Sequence, residues 1–422
     1  MKVAFPYIAQ THQIPHSLPI AAELAMLRPG WKVRVVCSSD AQERVVRRVL
    51  ALYPQAHLQI DRFRLGPMTR LHQRLVRDGT PAKKLTLIGN RRYFRSCDAV
   101  VVPERTSLFL RRLHLPALKM IWTNHGAPGR AVTYANDLIE FDFLLLAGEQ
   151  QAARMRAQGT LREGHYQTGT YAKFDLIRRI DARREKLFAN DRPTVLYNPH
   201  FEPDLSSWPR DGFKVLDHFA ASGDWNLIFA PHIRMFDRYD PATLAMQAML
   251  DKYRSIPHML IDTGSDASID MTYTHGADIY LGDVSSQICE FMVRPRPCLF
   301  IDSHRTAWQN NPDYLFWELG EVIDGVDGLA TALSHAVVNH GRWVERQREF
   351  FRATFDAEPE AVGHSAATGA TAIATFLESG LTSQREEAPV SKATPDPFER
   401  AKAEAGQPWS GPGQHAPPVP GA

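Results

Sequence analysis

The sequence predicts an α/β protein built of two Rossmann-like, doubly wound domains that face a cleft. Short apolar runs alternate with amphipathic stretches through most of the 422 residues, as in β-α-β units around a parallel sheet. The chain is also longer than the size at which one hydrophobic core keeps growing, which favours two domains. The pattern stops at a polar, charge-rich segment, residues 178–192, and then starts again. We therefore expect two α/β halves joined near residue 180.

The strands of both halves are predicted from short apolar runs bounded by polar loops. In the first half they are 2–8, 32–37, 99–102, 118–123 and 143–147, with helices at 17–27 and 42–52. In the second half they are 194–198, 226–230, 258–261, 278–281 and 298–301, followed by amphipathic helices at 341–355 and 360–377. We expect the last helix to return across the domain junction.

The predicted elements divide the chain into a Rossmann-like domain at 1–180, a second one at 190–380 and a tail at 383–422. The tail is rich in Pro, Gly, Ala and charge, so it cannot bury enough apolar surface to order itself and is predicted to be disordered. Ligands of doubly wound sheets bind beyond the carboxyl ends of the strands. Functional residues are therefore expected in the loops that follow strands.

Composition and motif content exclude several classes of protein. A formal net charge of +2 argues against a dedicated nucleic-acid binder, so no nucleic-acid partner is expected. The four cysteines have no CxxC spacing and are interpreted as buried small hydrophobes. No P-loop, GxGxxG or HExxH motif occurs at the required positions, so neither a cofactor nor a metal is expected. The absence of a signal peptide or of a long apolar span favours a cytoplasmic location.

The sharpest local signal is the apolar strand that runs through Gly282-Asp283 into Ser285-Ser286 and then a helix. A helix start carries unpaired backbone N–H groups and a partial positive charge, and two hydroxyls add further donors. Asp283, Ser285 and Ser286 are therefore predicted to hold a diphosphate. The alternative is that one of them is only a helix N-cap.

A second strand delivers His125 and Gly126 into a loop of the same kind. The usual pKa of histidine, near 6.5, suits removal of a proton from a hydroxyl, and glycine lets a substrate approach the backbone. In the second half Pro231-His232 and Arg234 follow a strand and can donate to phosphate oxygens. Either histidine can instead be a structural loop residue. His12 and His16, after the first strand, are weaker candidates.

A basic segment at 62–112 carries far more arginine and lysine than acid. Its basic residues are Arg62, Arg64, Arg70, Arg74, Arg77, Lys83, Lys84, Arg91, Arg92, Arg95, Arg105, Arg111 and Arg112. Membrane phospholipid headgroups or a phosphate-bearing acceptor are candidate partners, and a solvated helix face is the alternative.

Together these motifs resemble the CDP-glycerol glycerophosphotransferase family, the teichoic-acid primases and polymerases of GT-B fold. The resemblance covers roughly residues 115–305 and rests on His125-Gly126, the turn at 196–199, Pro231-His232 and the segment 278–291. It implies His125 as the base toward the acceptor, with His232, Ser285 and Ser286 on the donor diphosphate. Glu290 falls where the family has an acidic residue that can accept from ribose hydroxyls, a surface glutamate being the alternative.

The sequence departs from the family at two motifs, which puts the donor's identity in question. Gly282 and Val284 flank Asp283 where the family usually has Thr-Asp-Tyr, and Ile233 follows His232 where a second proline is common.

The resemblance implies a metal-independent transferase that moves glycerol phosphate, or a related group, from a CDP-activated donor to a hydroxyl acceptor. The acceptor would be a lipid or polymer of the cell envelope, bound by the first domain, and the nucleotide-diphosphate donor would bind the second, with peripheral contact to the inner face of the cell membrane. Predicted catalytic residues are His125 and His232; predicted donor-binding residues are Gly126, Arg234, Asp283, Ser285, Ser286 and Glu290.

Three alternatives remain open. They are a nucleotide-sugar glycosyltransferase of GT-B fold, a hydrolysing UDP-sugar 2-epimerase, and a non-catalytic module that binds an anionic polymer or membrane.

Overall fold

Two parallel β-sheets form the core of the protein, as a computed structural model shows. The structure describes residues 1–75, 80–126, 128, 134–181, 186–236 and 241–379. The predicted tail at 383–422 lies outside these residues, as do Arg77 in the basic segment and Arg130 after the His125 loop. Residues Met1–Gly380 form one compact unit, so contacts between the two halves can be described directly.

The strands are numbered in chain order. Those of the first sheet are β1 Lys2–Tyr7, β2 Lys32–Cys37, β3 Gln59–Arg62, β4 Ala99–Val102, β5 Lys119–Thr123, β6 Phe143–Leu145 and β7 Tyr166–Gln167. Those of the second are β8 Thr194–Asn198, β9 Asn226–Phe229, β10 Met259–Ile261, β11 Ile279–Gly282, β12 Cys298–Ile301 and β13 Glu321–Ile323.

The helices lie between and after these strands. They are α1 Leu18–Leu27, α2 Asp40–Leu50, α3 Pro67–Leu75, α4 Lys83–Gly89, α5 Arg91–Arg95, α6 Glu149–Ala157, α7 Asp175–Asp181, α8 Trp208–Ala221, α9 Pro241–Arg254, α10 Thr272–Gly276, α11 Gln287–Phe291, α12 Leu329–Val338, α13 Val344–Phe355 and α14 Ser365–Glu378. Short 3₁₀ helices include Thr11–His16, Ala172–Phe174 and Ile233–Phe236. No helix among the described residues is long and apolar enough to cross a membrane.

Each sheet has the strand order of a doubly wound domain. The first runs β3-β2-β1-β4-β5-β6-β7 and the second β10-β9-β8-β11-β12-β13. Every pairing is parallel. The order reverses between β1 and β4 in the first sheet and between β8 and β11 in the second, and such reversals are where ligands bind. The predicted fold class is therefore confirmed.

Apolar runs form the central strands because helices cover both faces of each sheet. β4 (AVVV) and β8 (TVLYN) are buried along their whole length, as expected for strands packed on two sides. The three strands missing from the sequence prediction, β3, β7 and β13, are all at sheet edges. They are short and only partly buried, so their apolar signal is weak.

The last helix returns to the first half, as predicted from its amphipathic pattern. Along α14 the small residues Gly369 and Ala370 pack against α1. A Cβ atom at Gly369 would lie 3.1 Å from the side chain of Ile20, so glycine permits this close approach. Further along, the ring of Phe376 stacks on Phe143 of β6 at 4.8 Å. The helix thus fixes the end of the second half onto the core of the first.

The four cysteines are buried and form no disulfide, which agrees with their interpretation as small core residues. They are Cys37, Cys97, Cys289 and Cys298.

Candidate active site

The loop after β1 brings three polar side chains into the interior. His12, Gln13 and His16 lie on the 3₁₀ helix Thr11–His16, and Gln13 and His16 are buried. Nδ1 of each histidine and Oε1 of Gln13 are shielded from solvent and have no hydrogen-bond partner among the described residues. Native proteins pair nearly all buried polar atoms, so such a group indicates a place where ligand or water completes the pairing.

The loop after β5 has the same property. Nδ2 of Asn124 and Nδ1 of His125 are also shielded and have no partner in the part of the chain that the structure describes. The next residue, Gly126, has a φ of 148°, which residues other than glycine rarely adopt, and a Cβ there would meet no neighbour among the described residues. The backbone angle, rather than crowding, therefore requires glycine where the loop turns away from His125.

His125 is neutral at physiological pH. Burial lowers its pKa to about 4, partly opposed by a hydrogen bond to the carbonyl of Pro103. Lys83 and Arg105 lower the pKa further because they repel the protonated ring. A neutral imidazole with an unpaired nitrogen can accept a proton from a bound hydroxyl.

Groups from both halves act on His12. Burial lowers the pKa of His12 well below its usual range, and electrostatic interactions with His125, His232, Lys173 and Arg234 lower that pKa further. Burial also lowers the pKa of His16 well below its usual range, and electrostatic interactions with Lys173, His125 and His12 lower that pKa further. We call the set of His12, His16, His125, Lys173, His232 and Arg234 the basic cluster. It is where the first and second halves meet.

His232 and Arg234 are oriented by one aromatic ring. The His232 ring lies 4.6 Å from that of Phe201, and the Arg234 guanidinium lies 4.2 Å above the same ring. Nδ1 of His232 accepts the backbone N–H of Arg234 at 3.2 Å, which places the ring proton on Nε2. Both side chains are therefore set as donors, as phosphate binding requires.

The loop after β11 corrects the prediction for Asp283. This carboxylate is 1% exposed, and its oxygens accept from the backbone N–H of His200 at 2.8 Å and of Ser207 at 2.7 Å. The hydroxyl of Ser207 donates as well, at 2.9 Å. Burial raises the pKa of Asp283 to about 7, although these hydrogen bonds lower it. With both oxygens engaged, Asp283 positions the loops after β8 and β11 rather than contacting a donor.

The two serines after Asp283 differ in their surroundings. Ser285 is fully buried, and its Oγ accepts the backbone N–H of Gln287 at 3.3 Å. Ser286 is half-buried at the N-cap of α11, and its side chain makes no capping hydrogen bond. The capping alternative therefore describes Ser285 better than Ser286.

A buried ion pair joins the segment after the first sheet to the second. Nζ of Lys173 lies 2.5 Å from Oε1 of Glu290, and both side chains are at most 6% exposed. Burial raises the pKa of Glu290, while Lys173 lowers it. The surface alternative for Glu290 is therefore wrong. Lys173 was not a candidate from the sequence, where its only signal is a lone cation in the apolar run Tyr171-Ala172-Lys173-Phe174.

The structure thus brings His125 and His232 into the basic cluster and ties Glu290 to it through Lys173. Ser286 is the N-cap of α11, the short helix that carries Glu290. Among the residues that the structure describes, no group of three His, Cys, Asp or Glu side chains is arranged to hold a metal ion.

Two doubly wound sheets with functional loops at their carboxyl edges define a protein of GT-B fold. The wall teichoic acid polymerase TagF matches with a TM-score of 0.61 and 12% identity, over 90% of this chain and 89% of that chain. A TagF variant soaked with CDPG matches with a TM-score of 0.59 and 12% identity, over 90% and 89%.

UDP-GlcNAc 2-epimerases share the fold. The Neisseria meningitidis enzyme bound to UDP-GlcNAc matches with a TM-score of 0.55 and 12% identity, over 90% of this chain and all (100%) of that chain. No family model and no curated protein matches the sequence. At this identity the similarity establishes the fold, which is the one implied by the sequence resemblance.

The pKa of His125 predicts a measurable pH effect on stability. The unfolded chain binds this proton near pH 6.5 and the folded chain only near pH 4, so His125 costs stability as the pH falls through that window. His125→Asn removes the titration. The difference in unfolding free energy between wild type and variant should therefore change with pH between 6.5 and 4, by at most about 1.4 kcal/mol per pH unit.

Urea unfolding of both proteins at several pH values measures this difference. His57→Asn, at an exposed histidine, is the control and should show little change in slope. A wild-type-minus-His125→Asn difference that stays constant from pH 7 to 4 would contradict the buried, neutral assignment.

Proposed function

We propose that this protein is a metal-independent transferase that moves glycerol phosphate, or a related group, from a CDP-activated donor to a hydroxyl of a lipid or polymer acceptor. The observation that carries this proposal is the set of shielded, unpaired polar atoms on the loops after β1 and β5, which belong to or adjoin the basic cluster. Such a set suits an anionic ligand flanked by a hydroxyl. Two proteins of similar structure carry nucleotide diphosphates: the TagF variant was soaked with CDPG, and the Neisseria meningitidis 2-epimerase is bound to UDP-GlcNAc.

In the proposed reaction His125 removes the proton of the acceptor hydroxyl. The acceptor oxygen then forms a bond to the donor's distal phosphorus, the bond from that phosphorus to the bridging oxygen breaks, and CMP leaves with the electron pair. Negative charge grows on the departing phosphate. His232, Arg234 and the hydroxyl of Ser286 are proposed to stabilise that charge, which is the step where fixed donors lower the barrier most.

The ion pair is proposed to hold the sugar end of the donor. Glu290 forms an ion pair with Lys173, and its carboxylate can accept hydrogen bonds from ribose hydroxyls. Gly126 leaves space for the acceptor beside His125. Asp283 is proposed to contribute by holding the loops after β8 and β11 in position.

Replacement of His125 by alanine tests the base. We expect kcat to fall by about 10²- to 10⁴-fold, because general-base assistance is lost, while the Kd for CDP-glycerol stays within a few-fold of wild type. Turnover is measured as CMP release in the presence of acceptor. His57→Ala, at an exposed histidine of the same half, should retain full turnover. Unchanged kcat in His125→Ala would remove His125 as the base.

A thermal-shift screen tests the donor. A ligand that binds only the folded state raises Tm according to its affinity. CDP-glycerol should raise Tm more than UDP-sugars do, and Ser286→Ala should reduce that shift because one phosphate donor is lost. Ser334→Ala, at an exposed serine of α12, is the matched control. A larger shift with a UDP-sugar would favour a glycosyltransferase, and epimerised product formed without acceptor would favour the 2-epimerase alternative.

We also propose that helices α3 and α4 rest on an anionic membrane surface. Met68, Leu71 and Leu75 recur at helical spacing along α3 and are 72%, 55% and 77% exposed, and Leu85 and Ile88 of α4 are also exposed. The neighbouring arginines of the basic segment suit anionic headgroups. An apolar face beside basic side chains is typical of helices that lie in a membrane interface.

Vesicle co-sedimentation tests this surface. Leu71→Gln/Leu75→Gln should bind vesicles of phosphatidylglycerol and phosphatidylcholine several-fold more weakly than wild type, because less apolar area enters the interface. Leu244→Gln, at an exposed leucine of α9, should bind normally. Equal binding by all three would contradict the proposal. The non-catalytic alternative makes two predictions. The wild-type protein would turn over no donor, and His125→Ala/Ser286→Ala would still bind vesicles.

A further inference from the structure

A pocket of about 690 Å³ lies at the carboxyl ends of β2 and β3, in the first half. Ser38 and Ser39 line it from the loop after β2, and Phe63 and Arg64 line it after β3. Helix α3 closes it with Arg70, Gln73 and Arg74. Its volume is that of small-molecule sites in general. It belongs to the same edge of the sheet as the loops that carry His12 and His125.

The charges around this pocket are unbalanced. Arg62 is paired with Asp40 and Glu43 of α2. Among the described residues, by contrast, no carboxylate pairs with Arg64, Arg70 or Arg74. Like charges gathered around one concavity repel each other, and an anion in the pocket relieves that repulsion.

Two other arginines of the basic segment lie outside the pocket and are paired with carboxylates. Arg105 pairs with Asp137, and Arg111 pairs with Asp142 at 2.6 Å. Arg64, Arg70 and Arg74, which have no carboxylate partner among the described residues, all line one pocket. Guanidinium groups suit phosphate oxygens because they donate in a planar fork.

Hydrogen bonds connect the pocket wall to the loop of His12. Gln42 accepts from the backbone N–H and the hydroxyl of Ser38, at 2.7 and 2.9 Å. Its Nε2 donates to the carbonyl of Ala9 at 2.5 Å, just ahead of the 3₁₀ helix that carries His12. Gln73 donates to the carbonyl of Ser38 at 2.9 Å. The pocket wall is thus fixed relative to the basic cluster.

We propose that this pocket is a second anion site, which binds a phosphate ester distinct from the donor's diphosphate. Arg70 and Arg74 grip the phosphate from α3, and Arg64 approaches from the loop after β3. The volume exceeds that of a phosphate group, so the esterified alcohol fits as well. Its role rests on the proposed function: the ligand would be a phosphate carried by the acceptor, held one loop away from the base. Binding itself does not depend on that function.

Calorimetric titration of sn-glycerol 3-phosphate into the full chain tests the site. Wild type should bind it and should not bind glycerol at the same concentration. Arg70→Gln/Arg74→Gln should weaken binding by about tenfold or more, because two charge-assisted contacts are lost. Arg44→Gln, at an exposed arginine of α2 outside the pocket, is the matched control and should bind like wild type.

Two further measurements distinguish the proposed pocket from the donor site and from the membrane surface. Ser286→Ala should bind glycerol 3-phosphate normally and show a reduced CDP-glycerol thermal shift; loss of glycerol 3-phosphate binding in that variant would assign it to the donor seat and overturn the pocket. If Arg70→Gln/Arg74→Gln loses only binding to phosphatidylglycerol vesicles, these arginines serve the membrane and the pocket proposal is wrong. Glycerol 3-phosphate binding that needs Arg70 and Arg74 supports the site even if no nucleotide donor binds.

Discussion

The buried ion pair between Lys173 and Glu290 is the interaction on which the arrangement of the candidate site depends. Removing two charges from water is costly, and the cost is offset only while the partners stay within contact distance. One partner follows the first sheet and the other lies on α11 of the second, so the pair holds the two halves in one register beside the basic cluster. Loss of either partner would leave a single charge in a site surrounded by aromatic rings and histidines.

Around that pair, burial lowers the pKa of three imidazoles, those of His12, His16 and His125. Protonation of each is opposed by burial and by neighbouring cations. These cations include Lys173 for His12 and His16, and they are Lys83 and Arg105 for His125. A cluster of this kind attracts an anion without itself being saturated with protons. It therefore combines affinity for phosphate with the capacity to accept a proton, two properties that a fully charged cluster would not combine.

The fold was predictable from the sequence where helices cover both faces of a strand, because continuous apolar runs then mark each strand. Edge strands such as β3 and β13 escaped prediction because they are short and only partly buried. Among the candidate site residues, His125 and His232 could be predicted because each is a histidine in a loop that follows a strand. Lys173 was not, because its partner is 117 residues away in the chain.

Asp283 shows a second limit. A carboxylate after a strand has the same sequence signature whether it binds a ligand or two backbone N–H groups of another loop, and only the packing of His200 and Ser207 decides between them. The basic segment is similar: composition reports its surplus of arginine, but not which arginines are paired.

The return of α14 to the first half has a practical consequence. Its residues Gly369 and Phe376 complete the packing around α1 and β6, so a fragment that ends before this helix would expose the apolar surface of Ile20 and Phe143 to water. The two halves therefore cannot be expressed as independent modules by cutting the chain at its charge-rich connector. Any dissection of substrate binding between them has to be carried out in the intact polypeptide.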